Sequence, residues 1–146
     1  MAARLEMSGF DELIKTLKEL GGPRLARKAN RRAVNLATTE LLDAARSNCP
    51  EDKGDLKAAL TKKVYGKGFQ INGIVGADAE YVAANGDKPS HYDHLVEFGH
   101  QEHGGNTVPP HPFLRPAWDE AQGEAQARYA EVLTEEIEKA AAKGGK

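Results

Sequence analysis

The chain has 146 residues, of which 40% are apolar and 29% are charged. These are the proportions of a soluble globular protein rather than of a disordered or fibrous one. The length suits one domain with a modest core, so we expect residues 1–146 to form a single domain with a fraying tail at about 143–146. No apolar run approaches the roughly 20 residues that cross a bilayer, and the N-terminus lacks the apolar segment of a signal peptide. We therefore expect synthesis in a cytoplasm and no membrane partner.

The formal net charge is only −2, but the two parts of the chain differ in sign. Residues 1–67 carry 14 Lys+Arg and 9 Asp+Glu, whereas residues 68–146 carry 6 Lys+Arg and 13 Asp+Glu. Such a chain is suited to head-to-tail contacts with copies of itself, although charges also fall unevenly by chance. The single cysteine, Cys49, excludes an internal disulfide framework, and we expect it to be a small, partly buried apolar residue.

Three helices are predicted from apolar residues at helical spacing. The first follows Ser8, a plausible N-cap, and ends at Gly21-Gly22. Pro23 suits the first position of a second helix that runs to about Asn48. The last helix begins near Arg115–Pro116 and extends to about Lys143, with a frayed end.

Three strands are predicted between the second and the last helix. "LTKKVYG" and "FQINGIVGA" form a hairpin whose turn is 66–68, and Gly73 indicates a bulge or a tight crossing. A short helical turn at Leu56–Leu60 precedes them, and "HLVEFG" supplies the third strand after a polar loop. The predicted fold class is therefore α+β, with two N-terminal helices and a long C-terminal helix packed on a small antiparallel β-sheet.

A metal site is the first chemical possibility, because five histidines lie between residues 91 and 111. Imidazole and carboxylate groups suit zinc. In a strand, however, residues three apart face opposite sides, and none of the spacings matches a strong zinc motif. Exposed loop histidines are the simpler interpretation, and we expect no cofactor. The weak metal candidates are His91, His94, His100 and His103.

Nucleophilic catalysis has less support. None of the three serines lies in a glycine-rich elbow, and no recognisable neighbour would activate Cys49. No phosphate-binding loop is present, so we expect a protein without enzymatic activity.

A basic stripe is predicted on one face of the second helix. Its members recur at the i, i+3, i+4, i+7, i+8 spacing and fall on a different face from the apolar residues. Such a face is commonly plain solvated surface, but it also suits contact with phosphate or with an acidic neighbour. The basic stripe consists of Arg24, Arg27, Lys28, Arg31 and Arg32.

A stiff apolar segment precedes the last helix. "VPPHPFLRPAWDE" contains four prolines, which hold a chain extended without strand neighbours. Phe113 and Leu114 beside Arg115 are of the kind that anchors an interface, although they also suit the domain's own core. For Trp118 we favour the core. We expect the subunit or partner interface at Glu97, Phe98, Pro109, Pro110, Pro112, Phe113, Leu114 and Arg115.

The chain resembles small tailed-bacteriophage proteins that are encoded between the head-closure and major-tail genes. That family has a Glu-Phe-Gly element, then a Pro-Pro-x-Pro-Phe-Leu-x-Pro-Ala stretch and a closing helix. Two further segments, "SGFDELIKTLKEL" and "ARSNCPEDKGDLKAAL", are similar to the family's opening helix and to its Pro-x-x-Thr-Gly-x-Leu region. The chain departs from the pattern at Lys53 and His100, where the family has threonine. The matching residues are Val96, Glu97, Phe98, Gly99, Pro109, Pro110, Pro112, Phe113, Leu114, Pro116 and Ala117.

The resemblance implies a structural virion protein that completes the tail and joins it to the head. It also implies a homo-oligomeric ring in the neck, sixfold in keeping with the tail. The implied partners are head-closure or connector proteins, tail-terminator or tail-tube proteins, and packaged DNA that passes through the ring. In such a ring we expect the basic stripe to face the DNA channel or the acidic C-terminal helix of the next subunit. The alternative within this class is a tail terminator that caps the tail tube. Outside it, the alternatives are a zinc-dependent enzyme and a DNA-binding module.

Overall fold

The computed structural model describes residues 2–5, 10–50 and 54–144, and its helices and strands form the predicted α+β fold. Two positions discussed above, Ser8 and Lys53, lie outside these residues. The elements, in chain order, are β1 (Ala2–Leu5), α1 (Asp11–Asn48), α2 (Asp55–Ala59), β2 (Leu60–Lys67), β3 (Gln70–Ala77), a 3₁₀ turn (Pro89–His91), α3 (Asp93–Phe98), β4 (His100–Gln101), β5 (Thr107–Val108) and α4 (Leu114–Gly144).

Helix α1 consists of two helical parts joined by a kink at Gly22. The backbone there has φ 84° and ψ 171°, a region that is essentially restricted to glycine. Pro23 follows, where the absence of an N–H costs nothing at the start of a helical segment. The break predicted from Gly21-Gly22-Pro23 is confirmed.

The main sheet is antiparallel, with the strand order β1-β3-β2. Strands β2 and β3 form the predicted hairpin, but its turn is 68–69, because Lys67 pairs with Gln70. The predicted turn position at 66–68 is wrong, since Gly66 lies inside β2 and pairs with Ile71. Strand β1 is the third strand and runs antiparallel to β3.

The prediction that "HLVEFG" forms the third strand is wrong, because residues 93–98 form helix α3. At the start of this helix, Asp93 Oδ1 accepts the N–H of His94 at 2.7 Å. Asp93 and Glu97 are both buried and lie one helical turn apart, on the same face. A strand would place these two carboxylates on the same face too, but twice as far apart.

The core lies where the second part of α1 packs on β3 on one side and on α4 on another. The approach to the sheet is close at Gly73, where an added Cβ atom would lie 1.9 Å from Thr38 Oγ1. The tight crossing predicted at Gly73 is therefore confirmed.

Helix α4 runs antiparallel to α1. Near one end Asn48 Nδ2 donates to Glu120 Oε2 at 3.2 Å, and near the other Arg32 pairs with Glu136 at 3.0 Å. Between them, the hydroxyl of Tyr129 donates to Asn30 Oδ1. The predicted extent and buried side of this helix are confirmed by its buried residues, which include Ala121, Ala125, Val132, Leu133 and Ala140.

Among the described residues, the helices do not combine the length and apolar character that a membrane crossing requires.

Candidate functional site: an arm latched to helix α4

The carboxylate of Glu97 is the central polar group of the site. Only 1% of this residue is exposed. Its Oε2 atom accepts the backbone N–H of Phe113 at 2.7 Å and that of Leu114 at 3.0 Å, and its Oε1 atom accepts that of Arg115 at 3.0 Å. The first N–H groups of a helix have no acceptor within the helix, and a negative charge is favourable at that end. Glu97 therefore caps α4 from a different helix, and we call this contact the latch.

The two residues after Glu97 turn the chain away from the core. Phe98 is 56% exposed, and the guanidinium of Arg115 lies over its ring, 5.6 Å from the centroid. Gly99 has φ 73°, and an added Cβ atom would lie 2.6 Å from the carbonyl oxygen of Val108 and 2.8 Å from the nitrogen of Pro110. Only glycine fits at this position.

We define the arm as residues 100–112. Strands β4 and β5 form a small hairpin within it, in which His100 pairs with Val108 and Gln101 with Thr107. The N–H of His111 donates to the carbonyl of Val96 at 2.8 Å. We expected the proline-rich chain from Val108 onward to be extended without a strand neighbour. This is wrong for Val108, which pairs with His100 in the hairpin. Residues 101–107 and 109–112 are all exposed, so the arm is a projecting element that is fixed at both ends.

The predicted interface residues fall into two groups. Glu97, Phe113 and Leu114 are buried in the chain's own fold, where they hold the arm in place. The others lie on the surface, and Trp118 is half-buried against the core, as we favoured. The exposed group is Phe98, Pro109, Pro110, Pro112 and Arg115.

The four candidate metal ligands are not brought together. His91, His94 and His103 are exposed, and His94 lies near only one carboxylate, with Nδ1 3.7 Å from Asp93 Oδ1. The Nδ1 atom of His100 is buried without a hydrogen-bond partner in the described part of the chain. Over the same residues, no three His, Cys, Asp or Glu side chains are grouped closely enough to hold a metal ion.

A cavity of about 210 Å³ lies beside α2 and α3 and is lined in part by Asp55, Asp87 and Tyr92. Burial raises the pKa of the Tyr92 phenol, and the carboxylates of Asp55 and Asp87 raise it further. The phenol therefore stays neutral at physiological pH and is a poor base. Among the described residues that line the cavity, none is an activated nucleophile.

The basic stripe lies on the surface, as its spacing predicts. All five side chains are exposed. Two of them contact the chain's own atoms: Arg32 pairs with Glu136, and Arg31 donates to the carbonyl of Val64 at 3.1 Å. Lys28, Arg31 and Arg32 line an open groove of about 490 Å³ between α1 and the edge of β2.

The sequence predicts an acidic C-terminal helix, but the arrangement of its carboxylates in a stripe was not singled out, although their spacing indicates it. Glu residues recur at spacings of 4, 7, 4 and 3 over the length of the helix. At 3.6 residues per turn they fall within an arc of about 60°, on a different side of α4 from most of its buried residues, with Glu135 half-buried at the edge of this arc. We call this set the acidic stripe: Glu120, Glu124, Glu131, Glu135 and Glu138.

Residues 11–99, more than half of the chain, match the family model described as "Bacteriophage HK97-gp10, putative tail-component". The chain therefore belongs to this family of phage tail components. The matched segment contains the latch residue Glu97 together with Phe98 and Gly99, and it ends where the arm begins. The proline-rich half of the resemblance lies beyond the matched residues and stays a prediction. No curated protein and no solved structure matches the chain significantly.

Proposed function

We propose that this tail component is a non-enzymatic structural protein of the virion of a long-tailed bacteriophage or prophage. In this proposal it forms a ring in the neck, completes the tail and joins it to the head. The partners are further copies of the chain, the head-closure or connector proteins, and the tail-terminator or tail-tube proteins, with packaged DNA passing through the ring.

The latched arm is the observation that carries the proposal. A segment of 13 residues, of which 11 are exposed, would normally lose much conformational entropy when it orders against a partner. Here the hairpin, the prolines and the latch order the arm in advance. Phe98 and Arg115 add an exposed aromatic–cation pair at its base, and both residue types are common in interface hot spots. A projecting, pre-ordered arm suits a protein that docks on other virion proteins.

The site's polar chemistry also favours assembly over catalysis. In a buried active site, an isolated carboxylate would be the first candidate for acid–base chemistry. In this chain the buried carboxylate of Glu97 already accepts three backbone N–H groups, so its role is to position the arm.

The test is a phage that lacks the gene, supplied with the protein from a plasmid. Without the protein, we expect filled heads and tails of normal length that fail to join, as seen by electron microscopy. Labelled wild-type protein should restore joining and lie at the head–tail junction. Overlong tails in its absence would favour the alternative, a tail terminator, because a missing cap lets the tube keep growing. Normal infectious particles without the protein would overturn the proposal.

The same assay tests the arm through two matched variants. Phe98→Asp and Val82→Asp each place a charge at an exposed apolar residue, 56% and 53% exposed respectively, and neither should affect folding. We expect Phe98→Asp to reduce the yield of joined particles at least about tenfold, since it removes a hot-spot side chain. Val82→Asp, which lies outside both the arm and its base at Phe98 and Arg115, should leave the yield unchanged. Equal yields from both variants would count against the arm as the docking element.

A further inference from the structure

The basic stripe contains cations that the fold does not use. Arg24, Arg27 and Lys28 are exposed, and none of them forms an ion pair with another described residue of the chain. Arg32, its last member, contacts Glu136 on α4 at 3.0 Å and Glu135 of the acidic stripe at 3.9 Å. Within the acidic stripe, Glu131 pairs with Arg128 of the same helix at 3.0 Å. Such surface pairs are weak, and Glu124, Glu131 and Glu138 are exposed to a partner.

The spacing of the two stripes matches. Arg24, Lys28 and Arg31 occupy positions i, i+4 and i+7 of α1, and Glu131, Glu135 and Glu138 occupy the same three positions of α4. On a helix this repeat places three side chains along about 10 Å of one face. Two helices laid side by side can therefore form three cation–carboxylate pairs at once.

The occupant that these features favour is a second copy of the chain. A DNA duplex would pair with the basic stripe only and would be repelled by the acidic stripe and by a net charge of −2. Another copy satisfies both stripes. The stripes lie on two different helices and meet at Arg32 and Glu135, so a copy can present its basic stripe to one neighbour and its acidic stripe to another. Such a heterologous contact closes into a ring when the rotation between copies allows it.

We infer that the basic stripe of one copy docks on the acidic stripe of the next copy, and that this contact joins the subunits of the ring. The inference rests on the proposed function, because it assigns the surfaces of the ring proposed there.

The test uses two full-length variants with reversed charges. The first carries Arg24→Glu, Arg27→Glu and Lys28→Glu, and the second carries Glu124→Lys, Glu131→Lys and Glu138→Lys. Of the six side chains, Glu131 forms an ion pair in the described part of the chain, with Arg128 on the same helix. A surface pair of this kind contributes little to stability, so circular dichroism and urea midpoints should stay close to those of the wild type. We expect each variant alone to associate roughly a hundredfold more weakly than the wild type, because attractive pairs become repulsive. Analytical ultracentrifugation over a concentration series measures this.

Mixing the two variants gives the decisive measurement. The reversed basic stripe of one variant is then complementary to the reversed acidic stripe of the other, so an equimolar mixture should regain assemblies of wild-type mass. These assemblies should weaken between about 0.1 M and about 1 M salt, as the Debye length falls from about 10 Å to about 3 Å. A control with Lys15→Glu, Lys63→Glu and Lys67→Glu changes the same charge at exposed sites and should associate like the wild type.

Several outcomes would overturn the inference. These are a wild-type chain that stays monomeric at every concentration, variants that assemble normally, and a mixture that shows no recovery. If the first variant instead loses affinity for duplex DNA while its self-association is unchanged, the basic stripe faces DNA. The position of the protein in the virion is measured separately. Neck localisation with intact assembly of both variants would therefore reject this contact and leave the proposed function standing.

Discussion

At the scale of single residues, Glu97 explains most about how the arm is held. A buried carboxylate is costly unless it is fully hydrogen-bonded, and here the free N–H groups of α4 supply the donors. In return the helix gains a charged acceptor at its positive end. The contact thus connects α3, which is only six residues long, to one of the two long helices.

Glu97→Gln should destabilise the fold by about 2–3 kcal/mol. The charge-assisted hydrogen bonds are lost, and the amide NH₂ group is directed at backbone donors. Urea unfolding measures the change. Glu102→Gln is the matched control, since Glu102 is exposed in the arm, and it should stay within about 0.5 kcal/mol of the wild type. Equal stability of the two variants would contradict the latch.

The sequence indicates that Glu97 is important through its resemblance to a Glu-Phe-Gly element, but it does not reveal the latch. Its partners are backbone N–H groups 16 to 18 positions away. Since every residue other than proline has such a group, the sequence does not show which of them Glu97 binds. Gly99 differs in this respect, because a glycine in a sequence commonly marks a turn. It is indeed held at positive φ, close to Val108 and Pro110.

At the scale of elements, the sequence predicts the long helices well and the short segments poorly. Helices α1 and α4 have 38 and 31 residues, enough turns for apolar periodicity to be distinct. Helix α3 has six residues, in which a helix and a strand give nearly the same pattern. Strand β1 has four residues, and its pairing with β3 depends on a distant strand that local patterns cannot identify.

The crossing of β3 and α1 gives a prediction at this scale. Gly73→Ala should destabilise the fold by about 1–3 kcal/mol, because the new methyl group overlaps Thr38 at the helix–sheet contact. Gly123→Ala on α4 meets no atom within 4 Å and should instead stabilise by about 0.5–1 kcal/mol through helix propensity.

Thermal or urea unfolding of both glycine variants checks this. Thr38→Gly, combined with Gly73→Ala, should recover part of the loss, since it removes the side chain that the new methyl group meets. If both Gly→Ala variants change the free energy of unfolding in the same direction, the contact with Thr38 is not the reason that position 73 requires glycine.

At the scale of the whole molecule, Asn30 connects the three layers. Its Oδ1 accepts the hydroxyl of Tyr129 on α4, and its Nδ2 donates to the carbonyl of Phe69 in the hairpin turn at 3.3 Å. Phe10 adds an edge-on contact to the Tyr129 ring at 4.8 Å. The start of α1, the sheet and α4 therefore meet at one buried polar group, which the sequence alone did not single out.

The pH dependence of unfolding should report this junction. Burial, with the Asp11 carboxylate, raises the pKa of Tyr129 to about 12, whereas an unfolded tyrosine has a pKa of about 10. The unfolded chain therefore loses this proton first as pH rises. The contribution of Tyr129 to the free energy of unfolding is present in full below about pH 10 and is lost between about pH 10 and about pH 12. The total loss above about pH 12 is roughly 2–3 kcal/mol.

Comparison with Tyr129→Phe isolates this effect from the titration of other groups. At neutral pH the variant should be less stable by about 1–2 kcal/mol, because Asn30 Oδ1 loses its buried donor. The difference from the wild type should shrink as pH rises above about 10 and then change sign. Urea midpoints across this pH range, with phenolate absorbance, measure it. A difference that is constant with pH would contradict the burial of this phenol.

The chemistry of the latch also bears on how such proteins can diverge. Glu97 binds three main-chain N–H groups and no side chain, so any sequence without proline at 113–115 offers it the same donors. The arm between α3 and α4 could then be exchanged for one of different composition without redesign of the scaffold. If the arm docks on other virion proteins as proposed, docking specificity and folding stability are encoded in separate parts of the chain. Selection on a new partner need not compromise the core.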